Sequence, residues 1–196
     1  MILSRVVKAI VPALCLVGAV ALPAQATPIT PASCGDTHRT ASLDAALSCN
    51  AQKIGSTVKA SDIGNIFGGS WTIAGELTSG GSSGFLTGTG TGWGTGTASG
   101  TWGINSNFWS QYGSAVISMH VGGGNTNYVD SFEWRIITAD TAGTWNYTKL
   151  NGNAGGMSNL QLWGSGKPTK KVPEPSSALL MMLGLVSLFV ARRTLR

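Results

Sequence analysis

Charge is scarce in this chain. Only 11% of its 196 residues are Asp, Glu, Lys or Arg, and it has two histidines and three cysteines. That scarcity removes whole classes of function. A catalytic centre needs titratable groups that converge, and the chain's two histidines, His38 and His120, stand far apart in the sequence with no orienting partner marked by local spacing. No CxxC spacing suggests a zinc or redox pair, and no EF-hand-like spacing suggests a calcium loop. Asp130, Asp140, Asn125 and Asn127 are residue types that hold calcium, but forming turns accounts for them more simply. Glu76 or Asp130 could make a carboxylate pair with Glu133 only if something outside the local sequence brought them together. Glu133 and Arg135 lie two apart on one strand face, a spacing that suits a surface ion pair. The chain therefore reads as no enzyme, with no cofactor and no metal site.

Acidic partners are excluded next. The formal charge is +5, but Arg5 and Lys8 lie at the N-terminal end, and Arg192, Arg193 and Arg196 at the C-terminal end. Residues 27 to 191 keep eight basic and eight acidic side chains. No basic stripe remains for a phosphate backbone, so no nucleic-acid partner is expected.

The two ends carry addresses. Residues 1–26, "MILSRVVKAIVPALCLVGAVALPAQA", have two positive charges, an apolar stretch and small residues at Ala24 and Ala26. That is the layout of a signal peptide cleaved after Ala26. The other end reads "KVPEPSSALLMMLGLVSLFVARRTLR". A polar Pro-Glu-Pro site precedes an apolar run from Ala178 to Ala191, and Arg192 and Arg193 follow as a basic membrane stop. At about 1.5 Å per residue the run is short for a hydrocarbon core of roughly 30 Å. By the positive-inside rule its arginines hold the C-terminus in the cytoplasm.

This three-part ending resembles the PEP-CTERM sorting segment of exported Gram-negative bacterial proteins. Val172, Pro173, Glu174 and Pro175 match its motif, Ala178–Ala191 its hydrophobic helix and Arg192–Arg193 its basic end. The resemblance implies an inner-membrane intermediate held by this helix. It also implies processing by an exosortase, in bacteria that export polysaccharide, and a final place at the cell surface or in the extracellular matrix. It gives the chain an address without giving it a task.

Between the ends, Cys34 and Cys49 form an even pair in an exported chain and read as one disulfide. "SLDAALSC" between them places Leu43, Ala46 and Leu47 on one face of a short helix that Ser42 could cap. From about Ile66 to Gly166 the chain alternates. "SAVISMHV" puts Ala115, Ile117, Met119 and Val121 on one face. "YVDSFEWRII" aligns Tyr128, Phe132, Trp134 and Ile136, and "SWTIAGEL" aligns Trp71, Ile73 and Leu77. Short strands broken by Gly, Asn and Asp indicate an all-β, antiparallel sandwich-like domain. It also loosely resembles the body of many PEP-CTERM proteins, through Gly143-Thr144-Trp145 and the closing Met157–Gly164 stretch, where Asn159 and Trp163 replace the usual His and Tyr. The organisation expected is a signal peptide (1–26), a disulfide-stapled segment (27–65), the β domain (66–166), a linker with the motif (167–177) and the sorting helix with its basic tail (178–196).

Seven tryptophans are many for this length. Trp71, Trp134 and Trp145 alternate with apolar neighbours and suit a core. Trp93, Trp102, Trp109 and Trp163 sit in Gly-rich or terminal contexts and are candidate stacking surfaces for a polysaccharide. "TGTGTGWGTGTASGTWG" (87–103) keeps period two too well for a linker. It reads as one strand, or a hairpin broken near Ala98–Gly100. Its glycine face would receive large rings, from Trp71 or Trp134, and its threonine face would meet solvent. Two functions fit. One is a non-catalytic surface or matrix protein associated with exopolysaccharide or biofilm. The other is a small carbohydrate-binding module for the co-exported polysaccharide.

Overall fold

The computed structural model describes residues 31–122, 127–136, 141–152 and 155–168. The expected signal peptide (1–26), the sorting motif Val172–Pro175, the apolar run from Ala178 and Arg192–Arg193 lie outside these, as do Asn125 and Asp140. Among the described residues no helix is long and apolar enough to cross a membrane.

Among the described residues, eleven strands form two antiparallel sheets. They are β1 (Ala32–Gly35), β2 (Arg39–Leu43), β3 (Ala46–Gln52), β4 (Thr72–Thr78), β5 (Gly81–Gly84), β6 (Leu86–Thr91), β7 (Thr97–Ile104), β8 (Ser114–Val121), β9 (Ser131–Ile136), β10 (Ala142–Lys149) and β11 (Met157–Ser165). The first sheet runs β1-β2-β10-β7-β6 and the second β3-β9-β8-β11-β4-β5. The all-β, sandwich-like expectation holds.

Alternation decides which residues meet between the sheets. In the second sheet Trp134, Ile117 and Leu162 stand in register across β9, β8 and β11. Phe132, Met119, Leu160 and Leu77 form the next row. The first sheet answers with Leu43, Trp145, Tyr147, Trp102 and Leu86, all buried in the same core. Burial of aromatic and aliphatic side chains on this scale is the main stabilising term, at roughly 1.5–3 kcal/mol per large side chain.

Residues 42–49 are not helical. Ser42 and Leu43 end β2, and Ala46–Gln52 is β3; the two are joined through Ala45, which takes a positive φ of 61°. The helical spacing of Leu43, Ala46 and Leu47 has a different cause. Leu43 is fully buried in the first sheet, whereas Leu47 sits 61% exposed at a bulge of β3. The hairpin therefore carries the chain from one sheet to the other. The Cys34–Cys49 disulfide, with a Cα–Cα distance of 5.8 Å, ties β1 to β3 and so links the two sheets along this side. On the opposite side the chain itself crosses, between β5 and β6 at Phe85, whose N–H donates to Ala74 O and whose carbonyl accepts from Asn105 N.

Among the described residues there is one α-helix, α1 (Ala60–Phe67). Asp62 Oδ2 accepts the Lys59 N–H at 2.8 Å and so secures the first turn. Ile63 of α1, with Val58, packs against Trp71, Val116 and Trp163 in a second apolar cluster, on the outer face of the second sheet. The pairing of β4 explains why Trp71 is there. Trp163 stands opposite Ile73 but Leu162 opposite Gly75, so Ala74 is an extra residue. Trp71 and Ile73 consequently face outward while Leu77 faces the main core. The expectation that all three share one face fails at that bulge.

The threonine–glycine stretch is a hairpin, β6 and β7, and its turn is Gly92–Gly96 rather than Ala98–Gly100. The glycine face does receive rings, from Trp93 and Trp145 instead of Trp71 or Trp134. A Cβ on Gly90 would lie 2.6 Å from Trp145 Cζ2 and 2.7 Å from Trp93 Cζ2. On Gly100 it would lie 2.7 Å from Trp145 Cζ2 and collide with Thr89 O. Only glycine allows this approach.

Candidate functional site

The indoles sort by burial. Trp102 is 2% exposed and Trp163 is 4% exposed, so neither offers a face to a ligand, contrary to their expected availability. Trp102 is buried because it shares the inward parity of Ala98 and Ile104 on β7. Trp163 points outward from its sheet, but α1 and Trp71 cover it, and its Nε1 donates to Ser118 Oγ at 2.8 Å. Trp93 and Trp109 are part-buried against the main core. Trp93 leans on Trp145 with ring centroids 5.5 Å apart and donates to Gly90 O, and Trp109 meets Phe108 edge-on. These two keep accessible area.

Polar side chains gather on the outer face of the second sheet. Asn50, Glu133, Ser118, Gln161 and Glu76 stand in one register row across β3, β9, β8, β11 and β4. Glu133 is fully buried. Its carboxylate accepts from Ser131 Oγ, from Asn50 Nδ2 at 3.1 Å and from Gln52 Nε2 at 3.2 Å, rather than pairing with the exposed Arg135. Burial raises its pKa, and these three donors only partly offset the effect. Glu76 lies at the far end of the row and accepts from Asn159 Nδ2 at 2.6 Å. At about 4.8 Å per strand, three strand spacings separate the Glu76 and Glu133 backbones, too far for a shared carboxylate site.

His120 contacts Ser158 Oγ through Nδ1 at 2.8 Å, and burial lowers its pKa. A serine beside an imidazole is a pairing that local sequence could not announce, since 38 residues separate them. The Ser158 hydroxyl also donates to His120 O, which fixes the pair to its own backbone. Asp130 is occupied too, accepting the Ile54 and Gly55 N–H groups at 2.7 and 2.8 Å. Asp36 does similar work at a turn. Burial alone would raise its pKa, but the N–H groups of Val129, His38 and Arg39 outweigh that and hold it low. Among the described residues, no group of three His, Cys, Asp or Glu is placed to hold a metal ion.

The outer face of the first sheet is different. Thr89, Thr101 and Thr144 stand in register across β6, β7 and β10, and all three are exposed. Thr91, Ser99, Asn146, Ser42 and Ser33 form a second row across all five strands. The result is an uncharged hydroxyl-rich face, bordered by Asp44, which accepts the Thr144 hydroxyl.

No curated protein and no solved structure matches this chain. Residues 171–196 match the family model of the PEP-CTERM protein-sorting motif. That span contains Val172–Pro175, the apolar run and Arg192–Arg193 together. The chain is therefore a protein that carries the PEP-CTERM sorting motif at residues 171–196.

Proposed function

We propose that this chain is an exported, non-catalytic surface or extracellular-matrix protein, associated with exopolysaccharide or biofilm and delivered through its PEP-CTERM tail. The single observation that carries the reading is the motif match at 171–196. In this reading the apolar run holds the chain in the inner membrane, with the arginines on the cytoplasmic side. An exosortase then acts at the Pro-Glu-Pro site and frees the β domain for the surface. The pairing of Glu133, Asp130 and Asp36 with their own fold supports a structural rather than catalytic use of the carboxylates.

Mass spectrometry of surface-associated protein tests this directly. The expected mature form lacks the peptide ending in Leu195–Arg196 and begins after Ala26. Surface material that retains Leu195–Arg196 would sink the sorting reading. The alternative, a carbohydrate-binding module, now draws its support from Trp93 and Trp109, the two candidate indoles that keep accessible area.

A further inference from the structure

Two sheets have four edge strands, and an unpaired edge is a template for another chain unless something blunts it. Three of the edges here are blunted. β1 has four residues, follows Pro31 and is tied to β3 by the disulfide. β3 breaks register between Ala46 and Ser48. β5 has four residues and turns straight into the corner at Phe85. β6 is the exception. Its six residues pair with β7 without a register shift, and it has no charge, no proline and no bulge. Leu86 is enclosed at the corner, where a Cβ on Gly75 would lie 2.5 Å from its nitrogen. The exposed part of the edge is Thr87–Thr91, with one acceptor engaged, since the Gly90 carbonyl takes the Trp93 indole N–H at 2.9 Å.

We propose that Thr87–Thr91 is a self-association edge, on which a second copy of this chain pairs its own β6 antiparallel about Thr89. The segment is self-complementary. With Thr89 on the two-fold axis, Thr87 of one copy faces Thr91 of the other, and Gly88 faces Gly90. The hydroxyl row of Thr89, Thr101 and Thr144 then continues across both molecules, and on the other side Gly88 and Gly90 add no side chain of their own beneath the Trp93 and Trp145 rings seated on Gly90. β6, the Gly92–Gly96 turn and β7 carry no charged residue, so no like charges meet across the pairing. Five paired residues make a small interface, well below the roughly 800 Å² per partner of a stable complex. The contact gains strength where copies are held together at high local concentration. In that respect it deepens the surface-protein reading and rests on it.

Cysteine cross-linking on cells producing the full chain tests the pairing. Directly opposed residues in an antiparallel pair have Cα atoms about 4.5–5.5 Å apart, within reach of a disulfide. In a Cys15→Ser background, Thr89→Cys treated with copper-phenanthroline should give a disulfide-linked dimer. Thr144→Cys, on the same face but two strands inward, should stay monomeric. Adding Thr87→Lys with Thr91→Lys places like charges opposite each other, and the dimer should be lost while circular dichroism of the purified chain is unchanged. Protease accessibility on the same cells reports surface exposure separately. An exposed protein with no Thr89→Cys dimer, or with equal cross-linking at Thr144→Cys, overturns the pairing. A dimer in protein that never reaches the surface overturns the surface reading and leaves the pairing intact.

Discussion

Glu133 shows how much a single residue's role depends on what the fold places above and beside it. Its strand spacing from Arg135 suggests a surface ion pair, but the carboxylate is buried and bonded to Ser131, Asn50 and Gln52. Burial raises its folded pKa above the unfolded value. The sign follows by linkage: the unfolded chain gives up this proton first, so stability falls as pH rises from the ordinary carboxylate range through the raised value. Glu133→Gln should remove that fall, while giving up one of the two acceptor oxygens that the three donors share. Urea midpoints measured from pH 4 to 8 check it, and Asp36, whose pKa shifts in the opposite direction, is common to both proteins. Matching pH profiles would show that Glu133 is not the source. The burial of Trp102 was legible from its parity with Ile104, whereas that of Trp163 was not, because the covering helix is distant in sequence.

At the scale of elements, the strands announced themselves and their partners did not. Alternation marked β8 and β9 correctly, since both are central strands with one face fully in the core. It misread the β2–β3 hairpin, where a tight turn through Ala45 mimics helical spacing. It also missed the bulge at Ala74, because an extra residue in one strand is defined only by its partner. The disulfide is the clearest element-level prediction. It closes a loop of sequence separation 15 and links the two sheets through β1 and β3. Replacing Cys34 and Cys49 by serine should lower stability by about 3 kcal/mol, read as a reduced denaturation midpoint, while adding reductant should lower the parent and leave the variant unmoved. A parent insensitive to reductant would assign the stability of this side to β1–β2 pairing instead.

For the whole molecule, the sheets present two contrasting outer surfaces. One is partly covered by α1 over Trp71, Val116 and Trp163. The other is an uncovered array of threonine and serine hydroxyls with no aromatic platform among its register rows. If polysaccharide is recognised through indoles, Trp93 and Trp109 must carry it. Affinity electrophoresis of the whole exported protein in neutral glycan gels should then show retardation that Trp93→Ala with Trp109→Ala removes. No retardation on any glycan counts against the module and leaves the matrix reading, in which contact between copies suffices.

By itself the sequence determined the class of fold, the disulfide and the sorting motif. Each is written locally, in two-residue alternation, in an even cysteine pair and in a contiguous run from Val172 to Arg193. Tertiary structure alone decided which rings lie on Gly90 and Gly100, which indoles are covered, and that β6 is the unblunted edge. The physical reason is that side-chain parity is a property of one strand. Coverage and edge position depend on strands and helices that meet only after the chain has crossed between its sheets.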